Sequence, residues 1–170
     1  MAIVRKDKML AGYNGNLESV KVYNNAGTEE VEITNGVFVV VEGLLQGEAE
    51  TKKARLAGAN DAGKDVLFIH NSEVMYDERK YKLADFRIAK GKVARAYRLY
   101  DGDIITLTTD LFSGSVAVGD KLVVKADGLI GKPATAGDAD TAKVVFTVIE
   151  DCGNQLDIEM GSFAVQVARN

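Results

Sequence analysis

One cysteine and one histidine stand in 170 residues, and these two scarcities remove most reactive chemistry at the outset. Cys152 has no partner for an intrachain disulfide, so no covalent framework supports the fold and a reducing compartment is the simpler expectation. It reads as a plain thiol in a turn, with no CxxC partner. A zinc site of the usual ligand set is excluded by the same count. Any Ser-His or Cys-His mechanism would have to run through His70, which closes an apolar run and has no nucleophile elbow to serve; a strand-end hydrogen bond is the better reading. Long apolar runs are missing too. The longest, Val37 to Val41, is far too short to cross a bilayer, and Met1 to Lys8 lacks the apolar stretch of a signal peptide, so neither membrane insertion nor export by these routes is expected.

What is present is ordinary globular material. Apolar residues make up 46% and charged residues 27%, enough to fold one core or two small ones. The net charge of −4 does not point, over the whole chain, to a nucleic-acid partner.

The pattern along the chain is that of strands. Val144 to Ile149 is a β-branched and aromatic run ending at the turn composition Asp151-Cys152-Gly153-Asn154. Leu156, Ile158 and Met160 then alternate with polar residues, and so do Phe163, Val165 and Val167 beyond Gly161-Ser162, which predicts a three-stranded meander over 143–168. Val20 and Val22, the turn Asn24 to Gly27, and Val31 and Ile33 predict a hairpin. Val37 to Val41 suits a strand covered on both faces. Gly102-Asp103, Gly119-Asp120 and Gly137-Asp138 recur at hairpin-sized spacing, the first two directly before strand-like runs. Between 78 and 100 the apolar residues fit a helical stripe, but Gly91 would cost that helix about 1 kcal/mol, and two strands turned at Lys90-Gly91 agree better with their surroundings. The expected fold is mainly β, a small antiparallel barrel or sandwich with an additional hairpin region. Its expected divisions are an extended arm over 1–17, a β-rich region over 18–91 with a polar loop insertion at 47–65, and a barrel or sandwich over 92–170.

Motifs for chemistry are weak. Gly58 to Lys64 has the spacing of a phosphate-binding loop, but Asp65 stands where the hydroxyl for magnesium belongs, and a strand-like run follows instead of a helix. Asp101 with Asp103, and Asp138 with Asp140, have a spacing that can serve a hard cation, yet turn chemistry explains them better. No catalytic residue, cofactor or metal is expected.

One segment departs from a uniform surface. Residues 79–98 carry Arg79, Lys80, Lys82, Arg87, Lys90, Lys92, Arg95 and Arg98 against Asp85 alone, a charge of +7 that leaves −11 for the rest of the chain. With Tyr81, Phe86, Tyr97 and Tyr100 interleaved, the segment could stack bases and hold phosphates. Equally, Arg and Tyr could anchor it on an acidic protein surface, or it could be a solvated hairpin packed against Glu29 to Glu32. These basic residues, with Tyr97 and Tyr100, are the candidate partner-binding set.

The arm at Met1 to Gly15, the stretch Ala84 to Val93 and the Gly-Asp-punctuated strands from Gly102 to Val124 together resemble the decoration, or cement, proteins of bacteriophage heads. The resemblance spans most of the chain, and β-rich tail or baseplate components share it. It implies a virion structural protein made in the bacterial host cytoplasm, sitting on the capsid exterior, contacting the major capsid protein and forming a homo-oligomer such as a trimer. It carries no catalytic residues and no cofactor, and leaves nucleic acid as the partner of a rival reading.

Overall fold

The computed structural model describes residues 2–8, 16–74 and 82–170. Strand β1 (Val4–Lys8) comes first in the chain. Strands β2 (Leu17–Tyr23), β3 (Phe38–Leu44), β4 (Thr51–Leu56), β5 (Val66–Ile69) and β6 (Ala94–Tyr97) follow and close into a five-membered ring in the order β2-β4-β3-β5-β6. Strands β7 (Ile104–Thr108), β8 (Lys121–Val124), β9 (Ile130–Gly131), β10 (Val145–Gly153) and β11 (Ser162–Arg169) join β1 in a six-stranded sheet ordered β1-β7-β11-β10-β8-β9. The protein is mainly β, as its alternation predicts, with the two sheets packed as a sandwich.

The apolar run at 37–41 explains the centre of this arrangement. β3 is paired on one side with β4 and on the other with β5, and both of its faces are covered. On one face Val39 aligns with Leu67, and through the neighbouring strands Ile69, Ala96, Ala94 and Val20 continue the same buried row. Alanine and valine suit the narrow interior of a small ring. On the other face Phe38 and Phe68, 5.6 Å apart between ring centres, meet Phe146 of β10, which lies edge-on to Phe38 at 5.2 Å. These three aromatic rings join the ring to the sheet.

Polar links reinforce the junction. Gly128 donates its N–H to the Ala57 carbonyl (2.9 Å) and has φ of +70°. A Cβ there would stand 2.5 Å from the carbonyl oxygen of Phe38, so both the backbone conformation and the close approach require glycine. Lys143 bridges the same junction, its N–H to the Ala62 carbonyl (2.8 Å) and its ammonium to Asp65 (3.3 Å).

Two of the three Gly-Asp pairs are the same device. Gly102 and Gly119 take φ near +90° (89° and 92°), and each following aspartate accepts the N–H three residues back, Tyr100 for Asp103 (2.9 Å) and Ala117 for Asp120 (2.7 Å). Each aspartate N–H returns to that same residue's carbonyl, and β7 or β8 begins at once. The third pair differs: Asp138 caps the short helix α1 (Ala136–Thr141) by accepting the N–H groups of Ala134 and Thr135.

Several expectations are corrected. The polar loop insertion at 47–65 contains β4, a ring strand whose Lys52, Lys53 and Arg55 are paired with Glu18, Glu42 and Asp61; the charges hide a strand because their partners lie elsewhere. β6 pairs with β2 and β5, so the ring runs past residue 91, and closure is found over 17–97 while the strands after 100 form the open sheet. β2 and β4 run parallel within an otherwise antiparallel ring. The meander at 143–168 has two strands, since β10 pairs directly with β11 and residues 154–161 form the tip between them. Its alternation comes from turn chemistry: Asp157 accepts the Glu159 N–H (2.7 Å), and Ile158 is left 85% exposed. Cys152 is buried within β10 instead of lying in a turn. The hairpin expected at 19–33 forms its turn, with Asn24 donating to the Glu29 carbonyl (2.8 Å) and Val31 to the Val22 carbonyl (3.0 Å), but its second arm is only the Tyr23–Glu30 bridge, and Ile33 bridges Ile88 instead.

Candidate protein-docking surface

Of the expected arm, Val4–Lys8 form β1, at the edge of the sheet, while residues 9–15 lie outside the described residues. Ala2, Ile3 and Val4 are buried, so the strand is packed and not merely laid on the surface. Thr108 donates its N–H to the Ile3 carbonyl (3.2 Å), and Ile3 donates to the Thr108 hydroxyl (2.9 Å). In an antiparallel pair, alternate residues turn their main-chain groups to the same side. Ile3 and Arg5 therefore address β7, while the N–H and C=O groups of Val4 and Lys6 point the other way, where no described strand pairs with them. This is an open edge of the kind that accepts an added strand. The run Val37 to Val41 offers no such edge, being paired on both sides in β3.

The basic segment is divided by the fold. Arg79, Lys80 and Tyr81 lie outside the described residues. Lys82 donates to Glu159 (3.0 Å), and this hydrogen bond raises its pKa above the ordinary lysine value. Arg87 is turned back on its own chain, donating to the carbonyls of Phe86 (2.7 Å) and Ala84 (3.1 Å). Arg98 binds Asp65 (2.5 Å) and reaches Glu18 (3.7 Å), which also meets Lys52. Tyr97 belongs to the ring and is 8% exposed, and Tyr100 is half-exposed with its hydroxyl on Asn16. Lys90, Lys92 and Arg95 remain exposed, without an ion-pair partner among the described residues.

Other candidate chemistry is absorbed locally. In Gly58 to Lys64, residues 59–61 form a 3-10 turn, and Asp61 gathers Arg55 (2.6 and 2.8 Å), the Gly58 N–H (2.8 Å) and Lys64 (2.8 Å). Lys64 thus neutralises a carboxylate of its own loop. A polar cavity of about 330 Å³ adjoins this turn, and Asp138 lines it along with Lys125. His70 directly follows β5 and stacks on Phe68 with ring centres 6.3 Å apart. Asp103 and Asp138 are committed to the turn and cap described above, and no cluster of three metal-ligating side chains occurs among the described residues. An apolar cleft of about 210 Å³ opens between Thr109, Phe112, Val116 and Phe163.

The residues that sequence reasoning missed are asparagines. Asn35, 1% exposed, accepts the Asn71 N–H (2.8 Å) and donates to the Asn71 carbonyl (3.0 Å) and to Glu73 (3.0 Å). Asn71 in turn accepts the Arg95 N–H (2.7 Å) and donates to the Val93 carbonyl (3.3 Å). In sequence each reads as turn composition; their one available signal is that each stands one residue from an apolar run. No protein-family model matches the chain, and no curated protein matches it.

Proposed function

We propose that this chain is a bacteriophage structural protein that docks on the exterior of an assembled capsid and stabilises the shell. The observation that carries the reading is the open edge of β1, which can take up an extended segment of a capsid subunit through main-chain hydrogen bonds, with no reactive group needed. The resemblance of the arm, of Ala84 to Val93 and of the Gly-Asp strands to phage decoration proteins supplies the kind of partner. Binding that favours the assembled lattice over free subunits shifts the equilibrium towards the intact particle. Many copies, and self-association into a trimer, turn modest contacts into a large total. Attachment to a tail or baseplate is the alternative within the same class. A nucleic-acid reading draws on the exposed cations at 90–95, but Tyr97 is buried in the ring and Phe86 is packed on the core.

The test is cosedimentation with empty, DNA-free heads at two salt concentrations, beside free single-stranded and duplex DNA. Saturable, salt-tolerant binding to heads is expected. Lys6→Pro removes an outward N–H while keeping the inward ladder, and proline is tolerated on such an edge. Loss of one or two main-chain hydrogen bonds predicts about tenfold weaker head binding with an unchanged thermal midpoint. Retention on DNA without binding to heads would discard the reading.

A further inference from the structure

We infer that the turn Ala89–Lys92 and the start of β6 form a patch that docks an acidic, extended protein segment carrying an apolar side chain. The inference deepens the docking reading by naming the partner's chemistry, and it concerns the ring instead of the β1 edge.

Three cations are brought together here without partners. Lys90 and Lys92 stand on the turn, and Arg95 follows on the outward face of β6, all three exposed and unpaired among the described residues. The other described basic residues of the segment, Lys82, Arg87 and Arg98, are bound within the chain. Lys82 and Arg98 meet carboxylates and Arg87 is spent on carbonyls of its own chain, whereas Lys90, Lys92 and Arg95 are left bare for an external anion.

Apolar contact lies among them. Val93 is 43% exposed, and because Ala94 between them is buried, Val93 and Arg95 share one outward face. A segment laid along this face meets cations and a branched aliphatic group together. That combination fits carboxylates flanking an apolar side chain. It fits a sugar-phosphate backbone less well, since Tyr97 is buried in the ring and Phe86 is partly covered by the core, which leaves the bases little platform beside these cations.

The roots of these side chains are held still. Lys92 N–H closes the turn on the Ala89 carbonyl (3.0 Å), Gly91 takes φ of +81°, and Ile88 exchanges hydrogen bonds with Ile33 (2.8 and 3.1 Å). Asn71 clamps the backbone on both sides of Ala94, and buried Asn35 clamps Asn71. A prearranged backbone lowers the ordering cost of binding. One carboxylate lies beneath: Glu30 would be 3.3 Å from a Cβ at Gly91, but it is hydrogen-bonded to the Tyr23 hydroxyl (3.3 Å) and leaves a net positive patch. Gly36, next to Asn35, lies against Val4 of β1, so the patch and the open edge share one buried support.

The test uses the full-length protein and a fluorescein-labelled peptide of Asp and Glu alternating with Leu. Its Asn/Gln counterpart and an oligo-dT strand serve as comparisons. The expected result is saturable binding of the acidic peptide, weakened about tenfold or more by K90E/K92E/R95E and weakened less by Val93→Ser, with unchanged thermal midpoints because all four side chains are exposed. Equal binding of the Asn/Gln peptide, tighter binding of oligo-dT, no binding of the acidic peptide, or undiminished binding by the triple variant would overturn the inference. Lys6→Pro is expected to bind the peptide as the unaltered protein does. Failure of head cosedimentation with peptide binding intact would thus count against capsid docking alone.

Discussion

Replacing Phe146 with alanine lowers the unfolding free energy by about 3–5 kcal/mol, among the largest effects expected of a core substitution in this chain. Phe146 is fully buried, and its ring lies edge-on to Phe38, which in turn meets Phe68. Removing it forfeits the transfer free energy of an aromatic ring, an edge-to-face contact, and the filling of a space that neither sheet can close by itself. A domain of ordinary stability has only about 5–15 kcal/mol in total, so the variant stands near its folding limit at physiological temperature. The measurement is urea unfolding followed by both tyrosine fluorescence and far-ultraviolet circular dichroism. Because the ring of β2 to β6 and the sheet of β1 and β7 to β11 share this contact, the two probes should shift together in one transition with unchanged slope. Separate transitions, with one signal left where it was, would show that the aromatic junction does not couple the two sheets. Phe163, half-buried against Phe112 at the open apolar cleft, gives a smaller loss of about 1–2 kcal/mol when cut to alanine, because solvent already reaches part of it.

The second large effect comes from Asp61. Its carboxylate is nearly buried and receives two hydrogen bonds from Arg55, one from the Gly58 N–H and an ion pair from Lys64. The Arg55 hydrogen bonds hold the Asp61 pKa far below the usual carboxylate range, against the opposing effect of burial, and the same pairing raises the pKa of Arg55. Asp61→Ala leaves the Arg55 guanidinium largely buried with Glu42 as its remaining charged partner, which costs about 2–4 kcal/mol. Arg55→Met, which removes the buried cation and keeps much of its aliphatic volume, should also destabilise, since it takes two hydrogen bonds from the nearly buried Asp61 carboxylate and leaves it only the Gly58 N–H and Lys64. The double variant Arg55→Met, Asp61→Leu should recover part of the loss, because neither charge is then left without its partner.

The same site sets a dependence on acid. A carboxylate whose pKa is depressed by folding contributes stability that is fully present above its unfolded value, near 4, and is lost as pH falls towards the lower folded value. Denaturant midpoints should therefore decline below about pH 4. The decline should be shallower in the double variant, which has no Asp61 proton to bind. Equal slopes for both proteins would show that Asp61 is not the group responsible.

How far the chain announced itself varies from strand to strand. β3 was legible because five consecutive apolar residues admit few settings other than a strand covered on both faces, and that is where the ring places them. The turns before β7 and β8 were legible because Gly-Asp carries its own geometry, a positive φ followed by a carboxylate that reaches back three residues. β4 was illegible for the opposite reason. Lys52, Lys53 and Arg55 look like solvent-facing loop until Glu18, Glu42 and Asp61 arrive from three other segments. Residues 156–160 misled in the other direction, since alternation of Leu, Asp, Ile, Glu and Met imitates a strand while Asp157 and Asn154 hydrogen-bond it into a turn.

The candidate surface divides along the same line. The concentration of positive charge in 79–98 was plain from composition, but which charges face outward was not, because pairing depends on residues as distant as Glu159 and Glu18. The open edge of β1 could not be read either, since an edge is defined by the strand that fails to arrive. By itself the sequence determined a mainly β chain, the strand at 37–41 and two of its turns, all consequences of period-two alternation and of backbone geometry acting over a few residues. Only the tertiary structure decided the ring's closure with its parallel pair, the aromatic junction, and, among the described residues, the three cations left bare and the outer edge of β1 left open, because each depends on contacts between segments far apart in the chain.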